Sequence, residues 1–160
     1  SEAWLRKPLY GTLNSPRLVH ILARLNDAFM SSKSEAIKFE VAPTVEHIMP
    51  QSWIEHWALP DGSKGMEFTE LFNAPDDEPR AVATRARDAA VQTIGNLTIL
   101  STGLNSAQSN SNWELKRPEL MKHSLLPINQ HLIKLTIWDE AAIQKRAEEL
   151  LAKALTIWAK

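Results

Sequence analysis

The chain has 160 residues, of which 44% are hydrophobic and 23% charged, a composition typical of a globular domain with enough apolar material for one core. Its net charge of -1, from 18 basic and 19 acidic residues, gives no overall electrostatic support for binding a polyanion. Cysteine is absent, which excludes disulfides, iron–sulfur clusters and thiolate zinc sites, so any metal must be held by histidine, carboxylate or amide groups.

The sequence also predicts the cellular location of the protein and its domain organisation. No apolar run approaches the roughly 20 residues needed to span a bilayer, and no basic-then-apolar leader stands at the start, so we expect an intracellular, cytoplasmic protein without a membrane partner. The first residue is Ser1 rather than Met, which favours a piece cut from a longer protein. Within that piece, residues 1–160 are expected to form a single domain.

The first predicted element is an amphipathic helix over residues 16–30. Ser15 can cap this helix and Pro16 suits its first position. One face carries the apolar residues Leu18, Ile21, Leu22, Leu25 and Phe29. His20 lies beside that stripe, and we expect a surface or hydrogen-bonded histidine there rather than a catalytic one.

Two short strands are predicted next. Ile37, Phe39 and Val41 alternate with charged residues, which is the period of a half-buried strand. Pro43 interrupts this pattern. Residues 44–47 then continue as a second short strand, and that segment ends at Pro50.

The middle of the chain, residues 51–79, shows little sustained periodicity and predicts a short helix followed by a long loop. Trp53 and Trp57 are four residues apart and would share a helix face, which favours core packing over base stacking. Residues 80–92 predict an amphipathic helix with its arginines on the outside.

The remaining segments predict one strand and several helices. Gly95 and Asn96 form a turn that leads into an apolar strand over residues 97–100. A helix can begin near Ser101 or Thr102, which are possible caps, and a second helix start is expected at Ser111, with Pro118 limiting or restarting it. The last helix is capped by Asp139, and its apolar stripe consists of Ile143, Ala147, Leu150, Leu151, Ala154, Leu155 and Trp158.

The residues with the clearest chemical potential are Glu46 and His47, at the end of a predicted strand. A carboxylate beside an imidazole can offer a metal ligand and a general base from adjacent backbone positions. The alternative is structural: a surface charge, a hydrogen-bonded strand end, and a turn former and helix cap at Asn96 and Asn105. Short motifs match by chance often enough that any one of these would favour the structural alternative.

The occurrence of three motifs in order favours the functional interpretation over the structural one. They are Glu46-His47-Ile48-Met49-Pro50-Gln51, then Ile94-Gly95-Asn96-Leu97-Thr98-Ile99-Leu100, then Leu104-Asn105-Ser106 with Lys116 beyond. Together with Trp138 and the last helix, they resemble the HNH-type nuclease domain at the C-terminal end of GmrSD-like restriction and antiphage defence proteins, including those linked to DNA phosphorothioation. The resemblance covers most of the chain and implies that residues 1–160 are the C-terminal part of a longer protein.

The resemblance implies an α+β fold, mainly α-helical, with a ββα-metal core of the HNH (His-Me finger) type and flanking helices. It assigns His47 as the general base and Asn96 as the residue of the catalytic set that steadies the loop and the histidine. Glu46 and Asn105 correspond to metal ligands, with Asn110 a weaker alternative to Asn105. Lys116 falls where the family carries a lysine that can touch substrate phosphate, although a solvated helix face is the expected position of such a residue.

The implied function is a metal-dependent DNA endonuclease or nickase, the effector of a modification-linked restriction or antiphage system. An asparagine as last ligand favours Mg²⁺ or Mn²⁺ over zinc. The implied partners are phage or foreign DNA and a sensing, NTP-using part of the full-length protein, and the oligomeric state stays open. The alternatives are a helical docking module without catalysis and a domain that binds nucleic acid without cutting it.

Overall fold

Two short strands and a larger set of helices make up the chain, for which we have a computed structural model that describes residues 2–30, 41–101, 104, 106–123 and 126–158. In chain order the α-helices of the described residues are α1 (Glu2–Arg6), α2 (Ser15–Phe29), α3 (Phe68–Asn73), α4 (Pro79–Val91), α5 (Ser106–Asn110), α6 (Trp113–His123) and α7 (Glu140–Trp158). Strands β1 (Thr44–His47) and β2 (Leu97–Leu100) form the sheet, and 3₁₀ segments occupy Trp53–Glu55, Ile94–Asn96 and Pro127–Lys134. The fold is therefore α+β and mainly helical, as predicted.

The sheet is an antiparallel pair in which Glu46 lies opposite Thr98 and His47 lies opposite Leu97. Both strands agree with the predicted segments. The predicted strand through Ile37 and Phe39 lies outside the described residues, and Val41, at its end, is 72% exposed and belongs to no strand.

Strand β2 is buried along its whole length because both of its faces are covered. Leu97 and Ile99 pack in a cluster with apolar residues of α2 and α7, whereas Leu100 belongs to a second cluster that contains four tryptophans. Those tryptophans are Trp53, Trp57, Trp113 and Trp138. Among the described helices, none combines the length and the apolar character needed to cross a membrane.

Helix α2 confirms the first predicted helix to within a residue at each end. Its cap is Asn14 rather than Ser15, since the Asn14 side chain accepts a hydrogen bond from the Arg17 backbone N–H. Leu18, Leu22 and Leu25 are buried, as the stripe predicts. His20 is exposed, in agreement with a surface position.

Helix α7 covers the turn that leads into β2. Asp139 caps this helix as predicted, by accepting a hydrogen bond from the Ala142 backbone N–H. The helix approaches so closely that a Cβ on Gly95 would collide with the Ile143 carbonyl oxygen. Glycine is therefore required at position 95, directly before Asn96.

The segment between the strands departs from the prediction in two places. Trp53 and Trp57 are buried, which confirms core packing, but the predicted loop contains α3. The prediction that the arginines of α4 lie outside is wrong for Arg87, which is 2% exposed. Arg87 can be buried because Nε donates a 2.6 Å hydrogen bond to Oε1 of Glu140 and its guanidinium lies over the Trp53 ring.

Helices α5 and α6 also differ from the expected pattern. The helix expected near Ser101 begins at Ser106 in the described residues, and α6 is capped by Asn112, whose side chain accepts from the Leu115 backbone N–H. Pro118 neither limits nor restarts α6. A proline in a helix removes one backbone hydrogen bond, but tertiary packing of neighbouring residues can offset that loss, and Trp113 and Leu120 are buried here.

Candidate active site at the end of the first strand

Strand β1 delivers Glu46 and His47 to one cavity of about 220 Å³. Asn110, at the end of α5, lies on the wall of the same cavity, and its Oδ1 accepts a 2.9 Å hydrogen bond from the Ser52 hydroxyl. The other lining residues come from the turn after β1 and from α5: Pro50, Gln51, Ser52 and Ser109. The described part of the site therefore combines a carboxylate, an imidazole, an amide and hydroxyl groups.

The Glu46 carboxylate is held by a buried cation. Lys116 Nζ lies 2.8 Å from Glu46 Oε1, and the same oxygen accepts a 2.7 Å hydrogen bond from the Ser109 hydroxyl. The ammonium also donates to the backbone carbonyl oxygens of His47 and Ser109, at 2.5 and 2.6 Å. These three acceptors match the three hydrogens of the ammonium, so Lys116 ties the end of β1 to α5.

The expectation that Lys116 lies on a solvated helix face is wrong. Its side chain is fully buried, because a carboxylate and two carbonyl oxygens replace the water that it would otherwise bind. Burial lowers the pKa of Lys116, and the neighbouring Glu46 opposes that shift. In this arrangement the ammonium has no hydrogen left for a substrate phosphate.

The His47 ring is fixed from two sides. Its Nε2 lies 3.2 Å from Oε1 of Gln92, and the ring packs edge to face with Tyr10 at a centroid distance of 4.4 Å. Burial lowers the pKa of His47 below its ordinary value, although the Gln92 hydrogen bond and Glu46 act in the opposite direction. The net shift favours the neutral form of the imidazole.

The Gln92 contact also selects a tautomer. With the Gln92 amide oxygen as acceptor, this hydrogen bond forms only when Nε2 carries the proton, which leaves a lone pair on Nδ1.

Asn96 lies behind the cavity and is fully buried. Its Oδ1 accepts from the Met49 backbone N–H and the Trp138 indole N–H, while its Nδ2 donates to the carbonyl oxygens of Met49 and Val91. The Ile48 backbone N–H donates to the Asn96 carbonyl oxygen as well. Asn96 is consequently a positioning residue that fixes the turn after His47, and it does not line the cavity.

The structure brings together part of the predicted site. Glu46 and His47 share the cavity, and Asn96 supports it from behind. Asn105, the predicted second ligand, lies outside the described residues. Asn110, the weaker alternative, is in the cavity wall.

Sequence reasoning missed Gln92, Ser109 and Ser52 as parts of this site. Gln92 stands at the C-cap of α4, 45 residues from His47, and Ser109 stands 63 residues from Glu46. Neither position carries a periodic or motif signal. A hydrogen-bond acceptor for the histidine was the one requirement that could have prompted a search for a partner such as Gln92.

The donor set can be compared with the needs of a metal ion. Among the described residues, no group of three or more His, Cys, Asp or Glu side chains is placed to hold a metal. The cavity does offer the Glu46 carboxylate and the Asn110 amide oxygen, which are ligand types that suit Mg²⁺ or Mn²⁺. A hard divalent cation bound in this cavity would take Glu46 and an asparagine amide oxygen as ligands.

The fold and the site together define a mainly helical α+β domain whose two-stranded sheet presents a Glu-His pair to a polar cavity. Residues 1–153 match the family model described as the C-terminal domain of GmrSD restriction endonucleases. The chain belongs to that family, which indicates a nuclease-related restriction domain. It has no significant match among curated proteins or among solved structures.

Proposed function

We propose that this domain is a metal-dependent DNA endonuclease or nickase of the HNH type, the effector of a modification-linked restriction or antiphage system. The observation that carries the proposal is the shared cavity of Glu46, His47 and Asn110 in a chain of this family. Its substrate is DNA, and in the full-length protein it acts together with a sensing, NTP-using part.

In the proposed reaction His47 is the general base. Nδ1 takes a proton from a water molecule, and the resulting hydroxide attacks the phosphorus of a phosphodiester in line with the leaving 3′ oxygen. The bond from phosphorus to that oxygen breaks and the oxygen takes a proton from solvent water, which leaves a 5′ phosphate on one fragment and a 3′ hydroxyl on the other. Gln92 holds the imidazole in the tautomer that this step needs.

The metal-binding residues in this proposal are Glu46 and one asparagine, either Asn105 or Asn110. A divalent cation held there would neutralise the charge that gathers on the phosphate oxygens, worth several kcal/mol. Lys116 contributes by orienting the Glu46 carboxylate and the carbonyl of His47. One such site per chain cuts one strand, so a double-strand break requires two chains or two events.

The test is nicking of supercoiled plasmid in Mg²⁺ or Mn²⁺ by the wild type and by His47→Ala. Loss of the base should reduce the rate by about 10²- to 10⁴-fold. His56→Ala is the matched control, because the His56 side chain is 48% exposed on the surface and lies outside this cavity. Equal nicking by the wild type and His47→Ala would overturn the catalytic role, provided that circular dichroism shows both proteins folded.

A calorimetric Mn²⁺ titration separates the two candidate amide ligands. Asn105→Ala and Asn110→Ala are compared with the wild type and with Glu46→Ala, and the ligand is the asparagine whose loss weakens binding along with that of Glu46. A docking module without catalysis would bind no stoichiometric Mn²⁺. A domain that binds DNA without cutting would retain salt-dependent DNA binding in His47→Ala and give no metal-dependent product.

A further inference from the structure

A second cavity lies between the 3₁₀ segment Pro127–Lys134 and helix α7, with a volume of about 360 Å³. It shares no lining residue with the cavity of Glu46 and His47. Its walls include the apolar side chains of Leu135 and Ala142, and Arg146 and His131 supply polar atoms to it.

Arg146 is the unusual member of this cavity. Its side chain is buried, with 2% of the residue exposed, and Nη1 donates to the carbonyl oxygens of Gly95 and Leu97 at 2.8 and 2.7 Å. Its Nε and Nη2 atoms are also buried, but they have no hydrogen-bond partner among the residues that the structure describes. One end of the guanidinium is thus used by the protein, and the buried Nε–Nη2 edge is unpaired within the described residues.

An unpaired, buried guanidinium edge needs an explanation, because buried polar groups in proteins are nearly always hydrogen-bonded. The Nε–H and Nη2–H bonds are parallel, and this pair is the fork that binds a carboxylate or phosphate through two oxygens. The pattern of used and unused nitrogens therefore points to an oxyanion.

The surroundings of Arg146 agree with that assignment. His131 Nε2 is buried in the same region and lacks a hydrogen-bond partner within the described ranges. Lys145 adds a second positive charge to the cavity lining, and Glu149 is the acidic member. Glu149 is exposed one turn further along α7 and, at that position, does not hydrogen bond to the unpaired edge of Arg146.

We propose that this cavity binds a small molecule that carries a carboxylate or phosphate group. The oxyanion sits on Nε and Nη2 of Arg146 and accepts a further hydrogen bond from His131 Nε2. The rest of the ligand lies against Leu135 and Ala142. This proposal is independent of the nuclease site, because it rests on other residues and on another cavity.

The experiment titrates the protein with two probes, hexanoate and inorganic phosphate, and follows the Arg146 Nε–Hε resonance by NMR. That proton reports directly on the proposed hydrogen bond, so a saturable downfield shift is expected with at least one probe. Tighter binding of hexanoate identifies a carboxylate ligand with an apolar body, and tighter binding of phosphate identifies a phosphate ligand. Hexanol, which has the same apolar body without the charge, should leave the resonance in place.

Variants of Arg146 itself are unsuitable, because its Nη1 also holds the turn before β2. Ala141→Leu is the better choice, since Ala141 is an exposed residue of the cavity lining, and Ala141→Ser is its matched control. The leucine should weaken probe binding at least tenfold, equivalent to about 1.4 kcal/mol, and the serine should not. Glu149→Gln should strengthen binding because it removes the competing negative charge.

Two results would overturn the proposal. The first is the absence of any shift of the Arg146 resonance with either probe up to tens of millimolar, in the wild type and in Glu149→Gln alike. The second is a shift of unchanged midpoint in Ala141→Leu, which would place the probe outside this cavity. Both readouts are insensitive to whether the domain cuts DNA.

Discussion

Lys116 and Arg146 are both buried cations, and they satisfy their charge in different ways. Lys116 directs its three hydrogens to a carboxylate and two carbonyl oxygens. Arg146 uses one nitrogen for two carbonyl oxygens and leaves its Nε–Nη2 edge without a partner in the described structure. Lys116 is thus fully paired by the protein itself, whereas Arg146 is only partly paired, and its unpaired edge is the one to which we assign an oxyanion.

The comparison separates a structural cation from a cation that can take part in binding. A buried charge costs several kcal/mol unless it is paired and hydrogen-bonded, so a fully paired group is held rigidly and a partly paired one gains from a ligand. Both cations also touch the backbone of the sheet, at His47 and at Leu97, which are opposite each other in the register. The two cations therefore hold the same pair of strands, Lys116 through β1 and Arg146 through β2.

The largest expected effect on stability is the loss in Lys116→Met. Methionine fills similar space but leaves the Glu46 carboxylate and two carbonyl oxygens without their cation, which should reduce the free energy of unfolding by about 3 kcal/mol. Urea denaturation monitored by tryptophan fluorescence measures the change.

Two comparisons make the Lys116 result specific. Lys122→Met is the control, because Lys122 forms an exposed pair with Glu119 and its loss should cost at most about 0.5 kcal/mol. In the double variant Lys116→Met with Glu46→Gln, about 1 kcal/mol should return, since the orphaned carboxylate is gone. A loss no larger than that of Lys122→Met would mean that the pairing seen at Lys116 does not stabilise the fold.

The sequence was informative where apolar periodicity and capping decide the structure. Helix α7, the buried strand β2 and the strand that ends at His47 all follow the predicted segments. These elements depend on neighbours in the chain, and the pattern of neighbours is visible in the sequence. The three ordered motifs also indicated the correct family.

The sequence was uninformative about buried polar residues. Lys116 and Arg87 were predicted to be exposed, because a charged residue is usually at the surface. Each is buried owing to partners that are far away in the chain: Glu46 is 70 positions from Lys116 and Glu140 is 53 positions from Arg87. A distant partner leaves no local signal, so contacts of this kind require the fold. The same reason explains why Gln92 was not identified as the partner of His47.

The next effect concerns the pH dependence of stability near Arg146. Burial and the Arg146 charge lower the pKa of His131 to about 4, below the unfolded value of about 6.5. The unfolded chain therefore takes up a proton before the folded one does as pH falls. As pH falls, His131 lowers the free energy of unfolding, beginning near pH 6.5 and ending below about pH 4. Because the ring has partial access to solvent, we expect the total loss to be ~1–2 kcal/mol.

The pH effect is measured by urea denaturation of the wild type and His131→Gln between pH 7 and pH 4. Glutamine keeps a donor at this position but does not titrate in this range, so the variant should lose less stability on acidification than the wild type. His20→Gln, a surface substitution on α2, should keep the wild-type difference. Parallel curves for the wild type and His131→Gln would show that neither burial nor the charge of Arg146 lowers the pKa of His131 in the folded protein.

The smallest expected effect is in the candidate active site, in Gln92→Ala. The hydrogen bond to Nε2 of His47 is lost, which should cost about 1 kcal/mol of stability and lower the nicking rate roughly tenfold as the imidazole loses its fixed orientation. Because that hydrogen bond raises the pKa of His47 against the effect of burial, its removal should lower the pKa further, whereas the added negative charge in Gln92→Glu should raise it. An NMR titration of the metal-free proteins should therefore find the pKa of His47 highest in Gln92→Glu, intermediate in the wild type and lowest in Gln92→Ala. Any other order, or an unchanged rate in Gln92→Ala, would mean that Tyr10 and the backbone of β1 alone position the base.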